Sequence, residues 1–248
     1  FSVAGIVTLS YADSFQLILL AVVFVGIGSS IFHPESSRIS FLASGGKRGL
    51  AQSIFQLGGN AGTAIGPLLV ALIVVPNSQR YIVWFVGAGI FAIAVLTKIA
   101  FWYAKKKPAI VMPDLTQKQV FMSVVILMVL IFSKFFYTAS MSSYFTFYLI
   151  EKFNVSIQDS QFYLVLFLAS CAVGTLIGGP VGDKFGRKYV IWFSVLGVAP
   201  FTLLLPYADL FWTSILSVII GIILSSAFPA ILVYAQELLP KKLGMVSG

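Results

Sequence analysis

Lys134 stands near the centre of the apolar run 119–150. An ammonium at that depth costs about 2.5 to 3.5 kcal/mol on insertion scales and sits too far from either surface to reach water, so it must face the protein interior. Ser133, Tyr137, Ser140, Tyr144 and Tyr148 recur at three- or four-residue spacing on a neighbouring face, a wet and aromatic wall. A lysine among hydroxyls suits an anionic group such as a phosphonate or carboxylate, and it equally suits an acidic side chain on another helix.

Two further sets of residues could do chemistry. Gln52, Gln56 and Asn60 form a polar stripe at four-residue spacing, while Gly58, Gly62 and Gly66 recur on roughly the opposite face. The glycines allow a neighbouring helix to approach closely, and Pro67 closes their run. Hydrogen bonding between helices would satisfy the amides; three in line exceed what packing needs, and this favours the lining of a polar cavity. His33, Glu35 and Arg38 flank Pro34, whose missing N–H frees the Ser30 carbonyl and predicts a kink eased by neighbouring serines. Glu35 and Arg38 are spaced to pair, either as an interfacial ion pair or in proton or substrate handling. His33 could change charge near physiological pH.

These residues lie on elements that belong in a bilayer. The 248 residues are 59% hydrophobic and 10% charged, with a mean hydropathy of +0.99, more apolar surface than a soluble domain can hide. The formal charge of +8 does not indicate nucleic acid, because the basic residues fall in loops. Lys47, Arg48, Lys105, Lys106, Lys107, Lys118, Lys184, Arg187, Lys188, Lys241 and Lys242 fall on one side of the expected topology, Arg80 and Lys152 on the other. The positive-inside rule puts the first set in the cytoplasm and the Asn77 and Asn154 loops outside. Lys98 is close enough to its helix end to snorkel. The single cysteine, Cys171, rules out a disulfide framework or a thiolate metal site. No metal or cofactor is expected. A membrane enzyme would need a nucleophile with its base, a carboxylate pair or a metal cluster, whereas Asp13, Asp114, Asp159, Asp183 and Asp209 all fall at loops.

Spans are expected near 14–43, 49–75, 81–103, 119–150, 162–181, 189–205 and 210–238. Residues 1–11 read as the tail of a further helix and 243–248 as the start of another, so both ends look like cuts in a longer protein. The polar, proline-punctuated stretch 105–118 is the one candidate linker, dividing an N-terminal half, 1–104, from a C-terminal half, 119–248. Gly26-Ile27-Gly28-Ser29-Ser30-Ile31-Phe32-His33-Pro34 resembles Gly221-Ile222-Ile223-Leu224-Ser225-Ser226-Ala227-Phe228-Pro229, and each is followed by a basic loop that opens a helix. Both point the same way across the membrane, which indicates a parallel repeat.

Between the spans at 162–181 and 189–205 lies a basic turn, Gly178-Gly179-Pro180-Val181-Gly182-Asp183-Lys184-Phe185-Gly186-Arg187-Lys188. Its spacing resembles the loop signature of the major facilitator superfamily, where it occurs between the second and third helices and again between the eighth and ninth. The second location fits. The resemblance then implies an all-α fold of two six-helix halves, with this chain running from within the third helix to the start of the eleventh. It also implies that Gly179, Asp183, Gly186, Arg187 and Lys188 form a gate whose cytoplasmic contacts hold one access state.

Phe32-His33-Pro34-Glu35-Ser36-Ser37-Arg38, with Arg48-Gly49-Leu50-Ala51-Gln52-Ser53-Ile54-Phe55-Gln56-Leu57-Gly58-Gly59-Asn60-Ala61-Gly62, is similar to the fosmidomycin-resistance type of drug exporter. Gly62-Thr63-Ala64-Ile65-Gly66-Pro67 resembles the antiporter signature of drug exporters, with Val70-Ala71 in place of its continuing glycine pair. The resemblance implies an inner-membrane, multi-pass exporter working by alternating access around a central cavity. Its partners would be a small drug-like or anionic substrate, a coupling proton and the lipid bilayer, and one copy would suffice for function. Uptake or exchange of an organic anion or sugar is the alternative within the same superfamily.

Overall fold

The computed structural model describes residues 1–69, 73–74, 76–104, 116–240 and 243–247. Among them the secondary structure is helical throughout: α1 (Ser2–Ser10), α2 (Phe15–Ala43), α3 (Arg48–Leu69), a 3-10 turn (Gln79–Trp84), α4 (Phe85–Ala104), α5 (Gln117–Phe153), α6 (Ile157–Phe185), α7 (Arg187–Leu204), a short 3-10 turn (Leu205–Tyr207), α8 (Leu210–Leu238) and α9 (Leu243–Ser247). Six helical stretches among the described residues are long and apolar enough to cross a membrane, and they contain α2, α4 and most of α5 to α8. The protein is a multi-pass membrane protein. Lys105 to Asp114, Lys241, Lys242 and the Val70-Ala71 pair lie outside the described residues.

Local chemistry sets the helix ends. Thr116 caps α5 in a reciprocal box with Gln119, Ser156 caps α6 through the Asp159 amide, and Asp209 caps α8 through that of Trp212. Asn154 closes α5 in the left-handed region, at φ 53°. The expected glycine-rich turn is mostly helix. Residues 179–185 are the last turns of α6, which runs through Pro180, and only Gly186 breaks the helix before Arg187 opens α7. Gly186 has φ 97° and ψ 136°, a backbone that L side chains rarely adopt. α2 likewise continues through Pro34 to Ala43.

The contacts gather into two units. The first holds α1, α2, the later part of α3 from Gly58, the 3-10 turn, α4 and α9. There the Gln79 amide donates to the carbonyls of Leu9 (2.7 Å) and Ala12 (2.9 Å), tying the turn to the end of α1. The second unit holds the start of α3 up to Leu57 together with α5 to α8. Its core is Phe167, Val198, Ile220, Ile223 and Leu224, flanked by Tyr137, Met141 and Phe201. Most of α8 is buried, and α6 lies almost backbone-to-backbone against it. A Cβ at Gly174 or Gly178 would collide with the carbonyl of Ile222 or Ser226, and one at Gly221 with Ser170 Oγ.

α3 is shared between the two units, dividing between Leu57 and Gly58. Its first turns are held by α6: a Cβ at Gly179 would collide with Ser53 Oγ and the Gly49 carbonyl, and Ser53 Oγ donates to the Thr175 carbonyl at 2.7 Å.

Candidate functional site

In the second unit Lys134 is buried, at 7% exposure. Its ammonium donates to the Ser194 hydroxyl on α7 and to the Leu224 carbonyl on α8, the latter at 2.6 Å. Ser194 in turn donates to the carbonyls of Ile223 and Leu224, and Ser226 Oγ adds a 2.7 Å bond to Ile223. Two consecutive carbonyls of α8 thus collect hydroxyl and ammonium donors just ahead of Pro229, where the missing N–H deprives the Ser225 carbonyl of its helical partner. Among the described residues no carboxylate stands within ion-pairing distance of Lys134.

The hydroxyl wall expected beside Lys134 divides. Tyr137 turns inward to Thr202 (2.7 Å), and Tyr148 donates to the Leu205 carbonyl (3.1 Å). Ser140 bonds back to its own helix at Phe136, while Ser133 and Tyr144 are exposed, Tyr144 at 70%. The reason is angular. At about 100° per residue the stripe covers a broad arc, and only the edge nearest Lys134 faces α7 and α8.

The amide stripe of α3 divides in the same way: Gln52 is buried, Gln56 half-buried and Asn60 exposed. An added Cβ at Gly58, Gly62 or Gly66 would meet no described atom within 4 Å. Close approach occurs instead at Gly5, Gly28 and Gly89 in the first unit and at Gly49, Gly174, Gly178, Gly179 and Gly221 in the second; the Pro67 side chain lies outside what is described. In the first unit Arg38 pairs with Glu35 (2.9 Å), donates to Tyr103 Oη (3.1 Å) and lies over its ring. His33 is exposed.

The signature residues are better organised than their spacing alone suggests. Asp183, near the end of α6, accepts the amide N–H of Gly49 at 2.8 Å and that of Leu50 at 3.0 Å, so it caps α3 from another helix and sits on the positive end of its dipole. Arg187 approaches Asp183 at 3.4 Å and Glu237 at 2.9 Å, and Arg48 reaches the same Glu237 oxygen at 2.8 Å. These groups are half-buried or better, which strengthens them relative to surface pairs. Lys184 and Lys188 are exposed.

Arg48 and Glu237 had not been singled out as members of this cluster. One signal was available: α3 opens with Lys47-Arg48-Gly49, which offers no side-chain acceptor for its first amides, so a cap had to come from elsewhere.

The Major Facilitator Superfamily pattern matches residues 1–248, the whole chain. The chain belongs to this family. It is similar to the fosmidomycin resistance protein of Escherichia coli (strain K12), 59% identical over 255 residues, and to the uncharacterized MFS-type transporter YfnC of Bacillus subtilis (strain 168), 42% identical over 257. In each case all of this chain is covered but only 63% of the relative, so it spans less than two thirds of their length. No solved structure matches it. Family and relatives both point to a transporter rather than an enzyme.

Proposed function

We propose that the polypeptide carrying this chain is a secondary active exporter of a small drug-like or anionic compound, with fosmidomycin the foremost candidate. It works in the inner membrane as a proton-coupled antiporter by alternating access, one copy sufficing. The observation that carries this reading is the 59% identity, along the whole chain, to a fosmidomycin resistance protein.

On this reading the halves divide at 105–118, and Gln52, Gln56 and Asn60 line the substrate path with Lys134, Tyr137, Ser140 and Tyr144. His33, Glu35 and Arg38 serve coupling, and Gly62, Gly66 and Pro67 serve helix packing. Gly179, Asp183, Gly186, Arg187 and Lys188 form the gate, now joined by Arg48 and Glu237. The cluster around Asp183 supports the gating role, because it fastens the first turn of α3 by contacts that water can replace.

Transport in inverted membrane vesicles tests the proposal. Addition of fosmidomycin to energised vesicles is expected to drive proton movement and drug accumulation. Metabolite uptake with no drug-dependent proton movement overturns export in favour of uptake or exchange of an organic anion or sugar.

A further inference from the structure

The Lys134 ammonium is a buried cation whose partners among the described residues are all neutral. Ser194 is fully buried, and the Leu224 carbonyl belongs to the best-covered helix of the unit. The described acids are committed or distant. Asp183 and Glu237 serve the arginine cluster, Glu35 holds Arg38, and Asp159 and Asp209 cap α6 and α8. Asp13 and Glu151 lie exposed near helix ends. A hydroxyl and a carbonyl give an ammonium hydrogen bonds but no opposite charge, and a charge-assisted bond to an oxyanion is roughly twice as strong as a neutral one. The protein has thus placed a desolvated point charge on a flexible four-carbon stem among groups that an anion could outcompete. Ser133, the adjacent residue on the more open face of α5, is exposed.

Resting on the transporter reading above, we propose that Lys134 is the docking group for an oxyanion of the transported compound, phosphonate, phosphate or carboxylate. Ser194 and the Leu224 carbonyl are the partners it exchanges for that anion. Binding then does two things at once: the ammonium gains a counter-charge, and α8 loses a strap on the turn just before Pro229. Substrate occupancy is in this way tied to the helix that ends in Glu237, one of the groups of the arginine cluster.

The test separates this site from the identity of the cargo. The purified full-length protein is titrated with methylphosphonate, acetate and a neutral phosphonate diester, and its thermal unfolding followed, alongside vesicle export of fosmidomycin. Wild type should be stabilised by the two anions and not by the diester. Lys134→Met should lose at least ten-fold in apparent anion affinity, with Lys134→Arg retaining part of it. Ser194→Ala removes a competitor for the ammonium and should tighten anion binding about five-fold. That variant keeps the test decisive if Lys134→Met fails to fold. Equal stabilisation of wild type and Lys134→Met, or unchanged or weaker anion binding by Ser194→Ala, overturns the docking role. If fosmidomycin is not exported while the anion pattern holds, the docking site stands and the export reading falls.

Discussion

Asp183 shows how much one side chain can carry. It supplies the acceptor that the first turn of α3 lacks, and it does so from α6, so its loss unties two helices rather than one. Asp183→Asn keeps the shape but removes the charge that the α3 dipole and Arg187 both use. We expect a loss of about 2 kcal/mol, the scale of hydrogen bonds to a charged group, measured as a lower unfolding temperature of the full-length protein in detergent. Gly179 is as exacting for a different reason. Gly179→Val forces a side chain into Ser53 Oγ and the Gly49 backbone, so yield and monodispersity should collapse, whereas Gly58→Ala, with no described atom within 4 Å of its added Cβ, should express like wild type. Lys134 was legible from the sequence as an interior charge, because depth in an apolar run is a one-dimensional property. Its partners were not, since Ser194 and the Leu224 carbonyl are brought to it only by the packing of α7 and α8 on α5.

At the scale of elements the hydrophobic runs located the long helices to within about five residues, save that the expected end of the second span at Val75 lies outside the described residues, and with one instructive exception. The glycine-rich stretch reads as a turn because glycine, proline and charge usually end helices. Here Pro180 and Gly182 stay helical along with Gly178 and Gly179, and close contact with α8 and α3 needs residues without bulk at 178 and 179. The break itself is confined to Gly186. Gly186→Ala should cost about 1 to 3 kcal/mol, because φ 97° is strained for any residue with a Cβ, and chemical or thermal unfolding of the full-length protein would register it. The wall beside Lys134 divided for the opposite reason: spacing of three or four residues defines an arc, and the sequence does not say which part of the arc another helix covers.

For the whole molecule the charge asymmetry makes a prediction that needs no transport assay. With Cys171 replaced, a cysteine introduced at Asn154 should react with a membrane-impermeant thiol reagent in intact cells, and one at Gly45 only after permeabilisation; the reverse pattern would invert the topology. The single-residue joint at Gly186 carries the last consequence. α7 is 18 residues long, so it extends roughly 27 Å from that joint, and a tilt of about 10° there moves its far end by roughly 5 Å. That far end is fastened: Lys152 of α5 donates to the carbonyls of Pro206 (2.6 Å) and Ala208 (3.1 Å), beside the Tyr148 bond to Leu205. α7 is thus a lever arm with its fulcrum beside the arginine cluster and its load on α5. A tilt at Gly186 would therefore reach its greatest displacement at the end of α7 that is tied to the helix carrying Lys134.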